Sequence, residues 1–528
     1  MGIDHFFAEH TNIGYYNAES RKWYRINSFF IQNGHFMNVE MTEVTTNTFD
    51  CYVLPGFIDA HCHLLENPYP RNPTEERKSS SNIALNNALV AMRGGITTLK
   101  DMGGFEYEAI EIINRLQNSF LPRLLTSGCF FTTPGGHCSD HGAIVISCMN
   151  DFIKGMQPLI ENKIKFCKII NSDDGFSEKL LYKMIEYAHE LDMIVSCHAY
   201  TEKAACEAVL AGTDILEHAG DYSDGLLDLV KERQVIIIPT YVAAVDSTLE
   251  NCGDLNDVSE GVLQEWKKGE DLVVPKLFKR KLRVGLGTDA GFLGTPCDSL
   301  LREIGLLHNT FSISIQDLLY SAYVVTPVAV GMANKLGKIA DGYFADFLCY
   351  NSNPLNDINV LTNPKEVWIG GERVEKELSA KIEIRRLIEN DLPSLSSHMQ
   401  HNYFDCAELG DFWADDEILA WIEDISDYCI GAFVDNQLIG FCLTHYHKTV
   451  RKVHIENIFV LDQYRNEGIA HLLLTNVILH YCNQSKKKIR FVGLVDIDNY
   501  SSTALFMKAY FRKGHPMFWM QYNSHDKN

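Results

Sequence analysis

Hydrophobic positions in the first half of the chain switch between two periods, and the switching predicts strands and helices in turn. Residues 23–41, WYRINSFFIQNGHFMNVEM, show the period of two that is typical of paired strands around an Asn33-Gly34 turn. Residues 84–93, ALNNALVAMR, predict an amphipathic helix that ends at Gly94-Gly95, and ITTLKD predicts the strand that follows. Short apolar strands and helices then recur as far as GLGTDA.

Strands that alternate with helices predict a parallel sheet that is buried on both faces. The number of repeats favours an α/β fold class with a closed, TIM-like (β/α)8 barrel over residues 55–339. After Arg373 the pattern changes to a strand and helix in KIEIRRLIENDLPSL and a hairpin around Asp435-Asn436. The chain therefore divides into a large first domain, residues 1–380, and a mixed α+β second domain, residues 381–528.

Polar side chains follow several of the predicted barrel strands at the point where each strand ends. His61 and His63 share one face of the strand in FIDAHCH, because successive side chains point to opposite faces. A lone histidine is usually a core or surface residue, but six metal-competent side chains at the same structural position indicate a metal site. The six candidates are His61, His63, Lys168, His198, His218 and Asp289.

The composition of the 528-residue chain limits its partners. A formal net charge of −22 disfavours nucleic acid or an anionic membrane as the main partner, since both require a basic surface. The 15 cysteines form no Cys-x-x-Cys pair, and the sequence shows neither a leader nor a long apolar run. We therefore expect a cytoplasmic protein, and the formation of a homo-oligomer stays open.

The motifs VLPGFIDAHCHL, TTPGGHC, ILEHA, GLGTDA and GKIADGYFADFLCYNSNPL together resemble the amidohydrolase superfamily. The resemblance is to its imidazolonepropionase-like branch, which contains carboxylated-lysine dipeptidases, and it covers about residues 25–375. It implies that residues 1–54 and 340–380 join into one small β-sandwich beside the barrel. It also implies hydrolysis of a C–N amide bond, in a small peptide or an N-acyl amino acid, by a metal-bound hydroxide.

The resemblance also implies roles for the candidate residues. His61, His63 and Asp289 would bind one Zn²⁺ ion, and His198 and His218 a second. Lys168, carboxylated by carbon dioxide, would bridge the two ions, with Lys165 as the competing candidate. Asp289 would carry the proton from water to the leaving nitrogen. His137 would contact the substrate or polarise its carbonyl group, although it is equally a loop histidine.

Two departures from the family affect the substrate. The chain has Tyr200 where the family commonly has a second histidine after His198, and Asp173-Asp174 where the family has two glycines. The two aspartates suggest a cationic substrate as a hypothesis. Tyr241, after the strand VIIIPT, either points into the pocket or packs in the core.

About residues 382–523 resemble the GNAT N-acetyltransferase family. The loop from Arg465 to Ala470 precedes an amphipathic helix and is typical of an anion site at a helix start. The resemblance implies that acetyl-CoA is bound by Arg465, Gly468, Ala470 and Asn499. Phe506 stands where the family has the tyrosine that acts as general acid, so the general acid is unassigned. Glu456 is either a base or an exposed strand residue.

Two alternatives remain at this point. In the first alternative, the first domain is a mononuclear enzyme, either a cyclic amidohydrolase or a deaminase, and Lys168 keeps its free amine. In the second alternative, the second domain is a non-catalytic module that binds acetyl-CoA.

Overall fold

We describe a computed structural model of the chain. The structure describes residues 7, 10–66, 81–116, 121–139, 142–173, 175–247, 260–291, 295–374, 382–402, 415–434, 436–461, 464, 469–484 and 489–493. The chain divides into two compact units, Met1–Val374 and Glu375–Asn528, and each is described by itself.

The strands of the first unit are β1 (Ile13–Asn17), β2 (Lys22–Gln32), β3 (His35–Val44), β4 (Cys51–Pro55), β5 (Phe57–Cys62), β6 (Ile96–Asp101), β7 (Arg123–Thr126), β8 (Phe130–Thr132), β9 (Ile144–Val145), β10 (Phe166–Ile170), β11 (Ile194–His198), β12 (Ile215–Glu217), β13 (Ile236–Ile238), β14 (Arg283–Val284), β15 (Phe347–Tyr350), β16 (Glu366–Ile369) and β17 (Glu372–Val374). Its helices are α1 (Ser81–Arg93), α2 (Glu108–Leu116), α3 (Met149–Glu161), α4 (Glu178–Glu190), α5 (Glu202–Ala211), α6 (Asp224–Glu232), α7 (Tyr241–Ser247), α8 (Glu260–Lys279), α9 (Leu300–Phe311), α10 (Ile315–Tyr320) and α11 (Thr326–Ala329).

Segments from before and after the barrel share one seven-stranded sheet in the order β17-β16-β15-β4-β1-β2-β3. The predicted turn between β2 and β3 is confirmed, since Asn33 and Gly34 have φ values of 52° and 76°. Such a pair of left-handed residues matches the twist of a tight hairpin. The sheet buries an aromatic core in which Phe347 and Trp368 stack with their ring centroids 5.2 Å apart. β4 then leads through Gly56 into β5, the first strand of the barrel.

The barrel strands are parallel and lie in two sheets that adjoin at both ends. One sheet has the order β5-β6-β7, and the other has the order β14-β13-β12-β11-β10-β8-β9. β8 continues the path of β7 after residues 127–129. At the opposite end, Ala60 N donates to Leu286 O at 3.0 Å, and Asp289 N donates to His61 O at 2.8 Å. The predicted TIM-like barrel is confirmed, and its strands all end at the same face.

The second unit contains a five-stranded sheet in the order β18-β19-β20-β21-β22. Its strands are β18 (Ile382–Arg386), β19 (Ile430–Val434), β20 (Gln437–His447), β21 (Lys452–Val460) and β22 (Arg490–Gly493), and its helices are α12 (Leu392–Asn402), α13 (Asp415–Glu423) and α14 (Ile469–Gln484). β21 and β22 are parallel, whereas the other neighbours are antiparallel. The predicted β19–β20 hairpin is present with Asn436 at a φ of 65°, and Asp435 lies outside the described residues.

Candidate active site

The ends of five barrel strands carry the six candidate metal ligands. His61 lies on β5 with His63 just beyond it, Lys168 lies on β10, and His198 ends β11. His218 follows β12 directly, and Asp289 follows β14. Because parallel strands end at one face, the imidazole rings meet there. The ring centroid of His218 lies 5.0 Å from that of His61 and 4.7 Å from that of His198.

The backbone is strained where three neighbouring strands reach this face. His218, Thr240 and Asp289 have positive φ values of 68°, 54° and 57°, a region that costs a residue with a Cβ atom about 1–3 kcal/mol. Backbone hydrogen bonds hold this conformation, since His218 N donates to Ile238 O at 2.8 Å. The surrounding barrel therefore fixes the direction of the His218 and Asp289 side chains.

Three donor atoms converge at the centre of the site. Ligand atoms of His61, His218 and Asp289 all lie within 4.8 Å of one another. Asp289 Oδ1 lies 3.1 Å from His61 Nε2 and 3.1 Å from His63 Nε2. A separation of 3.1 Å is roughly the distance between two ligand atoms of one zinc ion. The structure thus groups His218 with His61 and Asp289, whereas the sequence resemblance assigned His218 to a second ion.

Lys168 lies in the interior of the barrel with 2% of its surface exposed. Its Nζ atom has no hydrogen-bond partner in the described part of the chain. Burial lowers the pKa of its ammonium group. Lys165, the competing candidate, is instead exposed and pairs with Asp192 at 3.1 Å. An unpartnered buried amine is costly, so the position is suited to chemical modification or to an anionic partner.

Glu217 and Lys100 form a buried ionic layer beneath the histidines, and the sequence reasoning missed both. Glu217 Oε2 accepts a hydrogen bond from His61 Nδ1 at 2.7 Å, and Lys100 Nζ lies 4.0 Å from Glu217 Oε1. Burial alone would raise the pKa of Glu217, but the charges of His61 and Lys168 hold this pKa well below its usual value. Burial lowers the pKa of Lys100 to about 8. The available signal was a charged residue within the apolar strands TTLKD and ILEHA.

The surroundings of His198 and His218 favour their neutral forms. Burial lowers the pKa of His218 to about 3 and that of His198 well below its usual value. His218 Nδ1 also lies 2.8 Å from Thr240 Oγ1, which fixes the orientation of the ring. Neutral imidazole is the form that binds a divalent metal. Together with the carboxylate of Asp289 and the Nε2 atom of His61, which has no hydrogen-bond partner among the described residues, the residues present fit such an ion.

Of the remaining candidates of the first unit, His137 contacts a histidine of the site, whereas Tyr241 and Asp173 contact other residues. His137 is exposed on the loop after β8, and its ring stacks on that of His198 with the centroids 4.8 Å apart. Tyr241 is buried, and its hydroxyl group donates to Asp271 Oδ1 at 2.6 Å, so it packs within the helical layer. Asp173 accepts a hydrogen bond from Thr201 Oγ1, and Asp174 lies outside the described residues.

Two buried glutamates behind His218 were also missed from the sequence. The ring of Trp266 on α8 lies 5.6 Å from that of His218, and Trp266 Nε1 donates to Glu270 Oε1 at 2.9 Å. Burial raises the pKa of Glu270 well above its usual value, and burial raises that of Glu303 to about 8. Glu303 accepts hydrogen bonds from the backbone N–H groups that begin α7. Burial therefore favours the neutral form of both carboxyl groups.

The predicted acetyl-CoA residues are only partly described. Ala470 lies in the first turn of α14. Arg465, Gly468, Asn499 and Phe506 lie outside the described residues. Glu456 is half-buried on β21, with its Oε1 atom 3.9 Å from His454 Nδ1. The roles that the sequence assigned to these residues stay predictions.

Comparison with known proteins matches each unit to a family. Residues 52–374 match the amidohydrolase family, and residues 392–510 match the acetyltransferase (GNAT) family. The chain is 24% identical to ochratoxinase of Aspergillus niger over 372 residues, which cover 61% of this chain and 75% of that protein. It is 20% identical to imidazolonepropionase of Thermoanaerobacter pseudethanolicus over 338 residues, which cover 56% of this chain and 75% of that protein.

Solved structures show the same fold in the first unit. A crystal structure of a Xaa-Pro dipeptidase with bound methionine in the active site superposes with a TM-score of 0.59 and 21% identity, covering 69% of this chain and 99% of that chain. The crystal structure of the A. niger ochratoxinase superposes with a TM-score of 0.57 and 18% identity, covering 69% and 95%. No helix among the described residues is long and apolar enough to cross a membrane.

Proposed function

Since the chain belongs to the amidohydrolase family, we propose that its first unit hydrolyses the C–N amide bond of a small peptide or an N-acyl amino acid. The observation that carries this proposal is the convergence of His61, His218 and Asp289, with ligand atoms within 4.8 Å of one another. The Xaa-Pro dipeptidase and ochratoxinase that share the fold support the choice of an amide substrate.

The proposed metal ligands are His61, His63, His198, His218, Asp289 and a carboxylated Lys168. A divalent ion bound there would supply a nucleophile near neutral pH, because it lowers the pKa of water from about 16 to about 7. Lys168 would gain its carboxylate when the neutral amine attacks carbon dioxide and loses one proton. The buried, unpartnered Nζ atom and the lowered pKa of Lys168 both favour the neutral amine that this reaction requires.

Asp289 is the proposed proton carrier. Burial alone would raise its pKa, but the neighbouring imidazoles, His61 foremost, hold this pKa well below its usual value. These surroundings favour the ionised form of Asp289, which would accept a proton from water at Oδ1 or Oδ2. It would then donate this proton to the nitrogen of the leaving amine. His137, whose ring stacks on that of His198, would contact the substrate carbonyl group.

The test is a hydrolysis screen on the full chain loaded with zinc in bicarbonate buffer. The panel contains Xaa-Pro dipeptides, other dipeptides and N-acyl amino acids, and the release of free amino acid is measured by mass spectrometry. We expect turnover of at least one class, and at least a 1,000-fold loss, about 4 kcal/mol of transition-state stabilisation, in the Asp289→Asn variant. Cleavage of no member of the panel, or equal rates in the variant, would refute the proposal.

A mononuclear cyclic amidohydrolase is the second candidate for the first unit. The grouping of His218 with His61 and Asp289 favours it, since these three residues can hold a single ion without Lys168. The match to an imidazolonepropionase points the same way. Lactam, hydantoin and imidazolone rings added to the same screen distinguish the two candidates, because only the second predicts ring opening that is independent of bicarbonate.

For the second unit we propose transfer of an acetyl group from acetyl-CoA to an amine. The GNAT match over residues 392–510 and the helix that begins at Ile469 support this assignment. Arg465, Gly468, Ala470 and Asn499 are the proposed acetyl-CoA ligands. Hydrolysis of an amide releases an amine, so the product of the first unit has the chemistry that the second unit requires of its acceptor.

A further inference from the structure

A cluster of histidines lies in the second unit, far along the chain from the barrel ligands. His445 and His447 lie on the same face of β20, because they are two residues apart. His454 on β21 stands directly opposite His445 in the strand register. The register shifts between Leu443 and Thr444, so Glu456 is an extra residue of β21, and its Oε1 atom lies 3.9 Å from His454 Nδ1. This part of the β20–β21 ladder therefore carries three imidazoles and a carboxylate.

The three rings are in contact. The ring centroid of His447 lies 4.5 Å from that of His445 and 5.1 Å from that of His454. Both contacts are edge to face, with interplanar angles of 89° and 78°. His447 is exposed at the end of β20, so a rotation of its side chain can direct a ring nitrogen between its two neighbours.

A buried carboxylate anchors the first ring of the cluster. His445 Nδ1 lies 2.8 Å from Asp427 Oδ2, and the second oxygen of Asp427 accepts a hydrogen bond from Tyr446 N at 2.7 Å. Asp427 is only 1% exposed. A histidine whose one nitrogen donates to a carboxylate is the usual arrangement in metal sites, because it leaves the other nitrogen available as a ligand.

His454 supplies an independent indication that a ligand is required. Its Nε2 atom is shielded from solvent and has no hydrogen-bond partner among the described residues, whereas its Nδ1 atom lies 3.9 Å from Glu456 Oε1. A shielded nitrogen without a partner is costly, and a bound cation would satisfy it. Lys452 stands opposite His447 in the strand register, and the charge of Lys452 acts on the carboxyl group of Glu456.

We propose that His445, His447, His454 and Glu456 form a second transition-metal site, in the GNAT unit and distinct from the barrel site. Three imidazoles and one carboxylate suit zinc, copper or nickel, and they do not suit magnesium or calcium, which prefer oxygen ligands. The proposal does not depend on the hydrolase function of the first unit.

The test measures zinc bound by the untagged, full-length chain after the metal has been stripped and zinc has been added back. The variants are His447→Ala, His454→Ala, and His398→Ala as a matched control in the same unit, where His398 Nε2 contacts Leu438 O at 2.9 Å. A His61→Ala/His63→Ala variant removes the barrel site. Elemental analysis gives the number of ions per chain, and competition with a chromophoric chelator gives the affinity.

We expect His447→Ala and His454→Ala each to lose one zinc ion per chain, or to bind it at least about tenfold more weakly. His398→Ala should match the wild type, and the barrel variant should retain the additional ion. Wild-type zinc content and affinity in His447→Ala would overturn the proposal, as would the loss of all zinc in the barrel variant. Because His447 is exposed, its replacement leaves the fold intact and decides the result if His454→Ala unfolds.

Discussion

The His61 Nδ1 atom lies 2.7 Å from Glu217 Oε2, and the side chains of both residues are buried. A carboxylate only accepts hydrogen bonds, so Nδ1 donates to Glu217, and this bond fixes the ring with its Nε2 atom facing Asp289. The residue that orients the first proposed metal ligand thus lies 156 positions away, next to another proposed ligand, His218. This pairing explains why a charged residue occupies the buried end of β12.

Replacing Glu217 by glutamine should weaken metal binding in the barrel by about 10- to 100-fold. The amide cannot hold the same charge-assisted bond to His61, and it leaves Lys100 without its nearby carboxylate. The measurement is zinc competition with a chelator. Glu190→Gln, at the exposed end of α4, is the matched control and should bind zinc like the wild type. Equal zinc affinity in the Glu217 variant would show that this glutamate does not position His61.

Replacing Gly103 by alanine should weaken zinc binding and lower the free energy of unfolding. Gly103 has a φ of +87°, and an added Cβ atom would lie 2.7 Å from the carbonyl carbon of Cys129. The left-handed conformation alone costs about 1–2 kcal/mol with a side chain. The displaced carbonyl group of Gly103 would also lose its 2.9 Å contact with His63 Nδ1.

A Gly342→Ala variant separates the effect on zinc binding from the effect on the free energy of unfolding. Gly342 has a φ of +79°, and no atom lies within 4 Å of its added Cβ. It should therefore lower the free energy of chemical unfolding without changing zinc affinity. If the two glycine variants bind zinc equally well, the contact between Gly103 and His63 has no role in the metal site.

The second unit should lose stability as the pH falls from 6.5 toward 4. Burial lowers the pKa of His480 to about 4, and its ring stacks on Tyr428 with the centroids 3.5 Å apart. The unfolded chain takes up the proton first, near pH 6.5, so acid favours unfolding throughout this window.

His480→Phe keeps an aromatic ring at this position and removes the titration. Hydrogen exchange of β19 and α14 in the full chain, followed by mass spectrometry, reports their local stability. Relative to this variant, the wild type should lose protection between pH 6.5 and 4 and should show no pH-dependent difference above pH 7. A constant difference between the two proteins across the range would contradict this explanation.

The sequence predicts the strand and helix pattern of the barrel well, because each element depends on its own local periodicity. It also indicates that the six candidate ligands lie near or just after the ends of apolar strands, and the structure has them there. It does not predict Lys100, Glu217, Glu270 or Glu303. Their roles depend on partners in distant segments, as with His61 and Glu217. The local hydrophobic periodicity does not reveal such a pairing. The grouping of His218 with His61 likewise depends on side-chain directions that the strained backbone sets.

Binding of acetyl-CoA should depend on Arg465. Its guanidinium group is the proposed partner of the pyrophosphate, and loss of a charge-assisted hydrogen bond costs about 1.5–3 kcal/mol. Isothermal titration calorimetry should therefore show binding to Arg465→Ala weakened by about 10- to 150-fold. Arg451→Ala, in the turn between β20 and β21, is the matched arginine control and should bind like the wild type. Failure of the wild-type chain to bind acetyl-CoA would refute the assignment of the second unit.

The most direct test of the hydrolase proposal is the metal content of the barrel in wild-type, Lys168→Ala and Lys165→Ala chains prepared with zinc and bicarbonate. Barrel-bound metal is the difference in elemental analysis between each chain and the same chain that also carries His61→Ala/His63→Ala. We predict about two ions for the wild type and for Lys165→Ala, and one or none for Lys168→Ala. The same count in all three chains would contradict a bridging role for Lys168 and would favour the mononuclear enzyme.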